Sequence, residues 1–392
     1  MNHLNLASRM FDSYHEFHVG SISARTCKHS HVLPILQEIV NSSGGTLTMF
    51  TEGQSLEGRS IHRLAFGTGH ARILLWSQMH GDEPTATLAL LDIFRLLATR
   101  RDEKWVRRLA EEVSIQAIPL LNPDGAERFR RYTAADIDLN RDAIALRTPE
   151  ANLLRNAQRT FRPEFGFNLH DQSLASVGPA PKPAAMSLLA PALDQQRSTP
   201  LVRIKAMRVG ALVAKVVSRY VPGHIATYDD AFDPRAFGDS MQSWGTSTLL
   251  IESGQWPGDP EKETIRKLNA MAILTALKAI GDETYQTVDI DDYRLLVPNG
   301  KRMFDILVRG VTIRRSDGWT AKVDIGFLVQ PVSPKTTEIV GPDSQFSVKE
   351  VGDLSPFGAL EIIDASARTI DAATVRVDST MTKPQILNLL QL

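Results

Sequence analysis

The chain has 392 residues, 43% of them hydrophobic and 23% charged, with a formal net charge of −1. That is the profile of a globular protein long enough for two or more domains, and it gives no basic footprint for nucleic acid. The single cysteine, Cys27, excludes an internal disulfide and a multi-cysteine zinc site; with no apolar core in residues 1–20 and no run near the ~18 apolar residues of a membrane span, a cytoplasmic protein is expected.

Five of the ten histidines (His3, His15, His18, His29 and His31) lie at or near residues 1–30, which read as an irregular lead-in. Val32 to Val40 has the spacing of a short helix, closed by Asn41-Ser-Ser-Gly-Gly45. Two strand-like pieces, Thr46–Phe50 and Ile61–Phe66, flank a turn at Glu57-Gly-Arg-Ser60. Ala71 to Trp76 reads as a buried strand, and Thr85 to Leu97 as a helix opened by Pro84. Between them lies Ser77-Gln-Met-His-Gly-Asp-Glu-Pro84, which sets His80 and Glu83 at the carboxyl end of a strand. Open α/β sheets bind ligands there.

Val113 to Leu121 is a second buried strand, ended by a turn at Asn122-Pro-Asp-Gly125. Arg128, Arg130 and Arg131 follow, then Asp138-Leu-Asn-Arg-Asp142. Pro149 to Phe161 is a helix. Phe165 to Asp171 is a third strand, with His170 near its end. Residues 172–200 read as a long loop with a strand at Met186–Ala190, and Leu201 to Tyr220 as a helix. Pro222 to Ser243 reads as irregular and polar, with Tyr228 and Asp239 in it. Thr246 to Gly254 is a fourth strand bearing Glu252, and Pro260 to Ile280 a closing helix. Beyond Tyr285 the pattern turns to short alternating strands: Arg302–Val308, Thr312–Arg315, Lys322–Val329 and Thr337–Val340.

Four apolar strands thus each lead to a group useful in hydrolysis. Two histidines and a glutamate, His80, Glu83 and His170, make a ligand set of the kind that holds catalytic zinc and leaves a place for water. Glu252 would serve as general base, an arginine beside the metal would stabilise an oxyanion, and a second arginine would clamp a substrate carboxylate.

These residues carry a resemblance to the zinc metallocarboxypeptidases. The matching motifs are Glu57-Gly-Arg59, His80-x-x-Glu83, Asn122-Pro-Asp-Gly125, Arg131 nine residues before Asn140 in Asp138-Leu-Asn-Arg141, His170 after its strand, and Glu252 in Ile-Glu-Ser-Gly. The resemblance covers roughly residues 50–280. It implies a twisted, mixed, eight-stranded sheet flanked by helices and one zinc ion on His80, Glu83 and His170. It further implies Arg131 as the oxyanion arginine, Asn140 and Arg141 as holders of a terminal carboxylate, and Glu252 as the base. The family often places a tyrosine some twenty residues before the base; Tyr228 lies 24 residues before Glu252, in an aspartate-rich setting. If Asp239 lines the specificity pocket, a basic or diamino-acid residue is favoured; if it faces solvent, nothing follows.

The expected organisation is therefore a lead-in (1–45), an α/β catalytic domain (46–284) and a smaller, mainly β accessory domain (285–392). The expected activity is zinc-dependent removal of a C-terminal residue from a peptide or amino-acid conjugate with a free carboxylate. The alternatives are a deacylase of N-acyl amino acids, similar to the desuccinylase and aspartoacylase group, and a non-catalytic binding protein on the same fold. No nucleic-acid or membrane partner is expected, and the sequence leaves the oligomeric state open.

Overall fold

The computed structural model describes residues 3–24, 27–330 and 344–392. An eight-stranded mixed sheet forms its centre, as the resemblance implies. Its strands include β1 (Leu47–Gln54), β2 (Ser60–Phe66), β3 (Ala71–Ser77), β4 (Val113–Ile118) and β5 (Phe165–Asp171). After a two-residue strand outside this sheet, β6 (Ser176–Val177), come β7 (Met186–Leu189), β8 (Ile225–Thr227) and β9 (Ser247–Ser253). The order across the sheet is β1-β2-β4-β3-β5-β9-β7-β8. Strands β4, β3, β5 and β9 run parallel to their neighbours in that row, and β2 and β7 flank them antiparallel.

The alternation of side chains explains why these strands read as unbroken apolar runs. Ile73 and Leu75 of β3 join the larger core on one face, while Leu74 and Trp76 join a second core on the other. Both faces are covered, as in parallel sheets generally. The larger core is roofed by α1 (His3–Asp12), α2 (His29–Ser42), α3 (Thr85–Thr99), α4 (Lys104–Glu112), a long helix at Leu201–Val217 and another at Glu263–Gly281. The second core is closed by helices Pro149–Phe161 and Phe237–Ser243.

The start of the chain is not an irregular lead-in. Helix α1 buries Leu6, Ala7 and Met10, and the segment after it is fixed by a buried ion pair. Arg266 donates from Nε and Nη2 to both oxygens of Asp92 at 2.7 and 2.6 Å. The same carboxylate accepts from the Tyr14 hydroxyl and from Val19 N–H. The segment expected to be irregular from Pro222 to Ser243 also holds strand β8 and the helix at Phe237–Ser243.

In the C-terminal region, β11 (Met303–Arg314), which follows the short β10 (Asn299–Gly300), is one strand where two were expected. The register shifts between Val308 and Val311, with Gly310 at φ 69°: a bulge, not a break. It pairs with β12 (Thr320–Val329), which pairs with β13 (Gln345–Gly352). Strands β14 (Gly358–Asp364), β15 (Thr369–Asp371) and β16 (Thr380–Thr382) complete a six-stranded sheet with its own core. The strand expected at Thr337–Val340 lies outside the described residues. Strand β10 pairs with β6, and Tyr285 and Tyr293 enter the larger core, so residues 285–300 pack on the eight-stranded sheet's side.

Candidate metal centre and active site

The strand order decides the site. Parallel neighbours β3, β5 and β9 present their carboxyl ends side by side, and His170 lies opposite Glu252 in register. The loop after β3 brings His80 and Glu83 over the same edge. It is held tightly: Gln78, at φ 50°, donates from its side chain to Gly81 O at 2.9 Å. A Cβ on Gly81 would lie 2.0 Å from the carbonyl carbon of Gly125, so only glycine permits this approach. The Asn122-Pro-Asp-Gly segment is therefore a packing surface. Asn122 caps the first turn of the helix Pro123–Glu127 by accepting from Gly125 N–H at 2.9 Å.

His80, Glu83 and His170 are all buried, and one ligand atom from each lies within 4.8 Å of the others. Nδ1 of His80 is 2.7 Å from Glu83 Oε1, and Nδ1 of His170 is 2.7 Å from Glu83 Oε2. Two imidazole nitrogens and a carboxylate thus face one point, a donor set that suits zinc. Burial opposes a proton on His80, but Glu83 and Asp138 outweigh it and push its pKa up to about 9. Burial holds the pKa of His170 below its ordinary value. Burial raises the Glu83 carboxyl, yet the two histidines bring it well below the usual range. A divalent cation would take over the charge that a proton on His80 supplies, as metal binding releases protons from its ligands. The residues therefore fit the ion.

Glu252 is 7% exposed, and among the described residues its Oε2 has no hydrogen-bond partner. Burial, then the nearby Glu83, pushes its carboxyl up to about 8. Of the three clustered arginines only Arg131 contacts the donor set, with Nη1 3.2 Å from Glu83 Oε1. Arg128 is engaged with Glu57, and Arg130 with Asp136. Asp138, to which the sequence reading gave no role, joins the two halves. Its Oδ1 is 3.1 Å from His80 Nε2, and its Oδ2 accepts from Arg131 Nε and Nη2 at 3.2 and 3.1 Å. Behind His170, Asp171 accepts from Thr85 Oγ1 and Lys262 Nζ.

Asn140 and Arg141 follow Asp138 on a short turn. Asn140 Oδ1 accepts from Phe237 N–H at 2.9 Å, which ties this turn to the helix bearing Asp239. Arg141 is half-exposed, with Nε 3.4 Å from Asp233 Oδ2. Asp239 does not face solvent: it is 8% exposed, and burial pushes its carboxyl up to about 7. Tyr228 lies at the edge, partly exposed, where Glu252 first and burial second push its phenol up to about 12. Elsewhere, His224 is satisfied by Pro183 O, and His62 by Ser60 Oγ.

Comparison with known proteins agrees with this geometry. A model of the zinc carboxypeptidase family matches residues 32–183. That stretch holds His80, Glu83, Arg131, Asn140, Arg141 and His170, whereas Tyr228, Asp239 and Glu252 lie beyond it. A probable carboxypeptidase 2 of Arthroderma benhamiae is 31% identical over 117 residues, which are 30% of this chain and 20% of that protein. Carboxypeptidase D of Mus musculus is 25% identical over 248 residues, 57% of this chain and 17% of its own length. The matched region thus spans about a fifth of these curated relatives. Bovine thrombin-activatable fibrinolysis inhibitor, solved in complex with tick carboxypeptidase inhibitor, shares the fold with a TM-score of 0.53 at 12% identity, over 67% of this chain and 98% of that one.

Proposed function

We propose that the chain is a zinc carboxypeptidase, the family whose model matches residues 32–183, and that it hydrolyses the C-terminal residue from a peptide or amino-acid conjugate. The observation that carries this reading is the convergence of the His80–Glu83–His170 donor set beside a buried carboxylate, Glu252, and a partly exposed guanidinium, Arg131. Zinc bound there supplies an acidified water and polarises the scissile carbonyl.

Glu252 accepts the proton of the attacking water and returns it to the leaving amine. Burial raises the proton affinity of this carboxyl above that of an ordinary glutamate, which favours its taking a proton from the water and holding it for the amine. Arg131, oriented by Asp138, faces the negative charge that develops on the carbonyl oxygen. Arg141 and Asn140 receive the terminal carboxylate; the half-exposed Arg141 guanidinium is accessible for a two-point contact. Tyr228 closes over the bound residue. Asp239 lines the pocket for that residue's side chain, which favours a basic or diamino-acid side chain. The lone, fully buried Cys27 accords with a cytoplasmic setting.

The deacylase alternative shares the His-Gly-x-Glu and Asp-Leu-Asn-Arg elements, but Asn-Pro-Asp-Gly and the carboxypeptidase relatives favour peptide cleavage. Zinc-loaded protein assayed against C-terminally varied peptides, murein-type peptides and N-acyl amino acids separates the two. Release of the last residue from a peptide supports the proposal. Turnover of N-acyl amino acids alone overturns it.

A further inference from the structure

The chain enters the C-terminal sheet through residues 297–302, and this stretch is bonded on one side to β8 and on the other to the loop around β6. Thr227 N–H donates to Val297 O at 2.9 Å, and Thr227 pairs with Pro298, just before Tyr228. Pro298 O accepts from Gly178 N–H at 2.8 Å, β10 pairs with β6, and Ser176 Oγ accepts from Arg302 N–H at 3.0 Å. The six-stranded sheet is seated on the same loop. Gly358 N–H donates to Arg302 O at 2.9 Å, and a Cβ on Gly358 would lie 2.3 Å from Pro181 O, a contact that only glycine allows.

One bond of this set leads toward the metal centre. Asn299 Nδ2 donates to Gln172 Oε1 at 3.3 Å. Gln172 is buried, and its Nε2 donates to Ala184 O at 3.2 Å, so its amide is fixed in one orientation and Oε1 needs a donor. The backbone N–H of Gln172 donates to Ser253 O at 3.0 Å. Gln172 therefore stands two residues past His170 and ties the end of β5 to the residue after Glu252. His170 and Glu252 face one another in register at that same end.

We propose that the opening of the C-terminal region is a part of the active site, and that Asn299 is its positioning residue, fixing His170 against Glu252 through Gln172. Its effect on rate rests on the peptidase reading; the brace itself does not. Without the Asn299 amide, Gln172 Oε1 is a buried acceptor with no donor, and the tie between the two strand ends loosens. A misplacement of about 1 Å at reacting groups costs up to about 10²-fold in rate.

Asn299→Ala and Asn299→Asp test this in the zinc-loaded full chain. The aspartate keeps the size of the side chain but, when ionised, offers Gln172 Oε1 no donor. Hydrogen exchange read by mass spectrometry is expected to be at least about tenfold faster over residues 170–178 in both variants, with the helix Thr85–Thr99 unchanged. On a peptide that the parent cleaves, kcat at saturating zinc is expected to fall at least about fivefold, with KM within about twofold. Gln172→Ala combined with Asn299→Ala should lower kcat no further than the worse single change. Unchanged exchange over 170–178, an Asn299→Asp variant that behaves as the parent, or a lowered urea midpoint with unchanged kcat would each overturn the proposal. A parent that releases no residue from any peptide overturns the peptidase reading and, with it, the effect of Asn299 on rate; the exchange comparison still decides the brace.

Discussion

His170 and Glu252 stand opposite one another on adjacent parallel strands, one offering a metal-binding nitrogen and the other an unpartnered, buried carboxylate oxygen. The sheet's register therefore sets the distance between His170 and the proposed base, Glu252, with no loop intervening. Glu252→Gln keeps shape and volume but cannot carry the proton. It is expected to retain zinc and to lose kcat by roughly 10²–10⁴-fold. Steady-state kinetics with parallel metal analysis checks this, and unchanged turnover would remove Glu252 from the mechanism.

Asp138 is the residue that links the His80–Glu83–His170 cluster to Arg131, the proposed oxyanion arginine. It holds His80 at Nε2 and Arg131 at two nitrogens. Asp138→Asn is expected to weaken zinc binding by about 10–100-fold, as loss of a hydrogen-bonded partner behind a ligand does. A chelator competition titration reads this directly. Because the same change loosens Arg131, kcat at saturating zinc is also expected to fall.

Arg141 is half-exposed and contacts Asp233 at its Nε, and it carries no part of the metal site. Arg141→Ala is expected to raise KM for substrates with a free terminal carboxylate and to leave kcat nearly unchanged. The same peptides with an amidated terminus provide the comparison. An equal loss on both would exclude the clamp role.

Asp305 gives a pH dependence of stability away from the metal. Burial, against the hydrogen bond from Val329 N–H, raises its carboxyl to about 6 in the folded chain. The unfolded chain ionises it near the ordinary value of about 3.9. The folded state therefore holds this proton more tightly, and the stability that follows is complete below about 3.9 and lost as pH rises through 6. The loss is on the order of 3 kcal/mol. Asp305→Asn is expected to flatten that decline, so that its urea midpoint relative to the parent improves between pH 4 and pH 7. A constant difference across that range would contradict the assignment.

The strands that carry the site were legible because each is buried on both faces and so reads as an apolar run ending in a polar residue. His80, Glu83, His170 and Glu252 meet for that reason. What escaped was set by contacts distant in sequence. Helix α1 owes its place to packing against the helix bearing Arg266, and the buried Asp92–Arg266 pair spans 174 residues. The helix at Phe237–Ser243 contains glycine, aspartate and serines, poor helix formers, and is kept by the burial of Phe237 and Met241. Asp138 was visible in its motif, but its role depends on His80 lying 58 residues away. Gly310 lies in the gap between the two strands expected there and proves to be a bulge in β11, since glycine marks bulges and turns alike.

The central claim is that two imidazoles and one carboxylate hold a single divalent cation. Metal analysis after zinc loading and exhaustive dialysis, on the parent chain and on His170→Ala, tests it most directly. About one zinc per chain in the parent and almost none in the variant is the expected result. A parent chain that retains no zinc, or a variant that retains as much as the parent, would contradict the account.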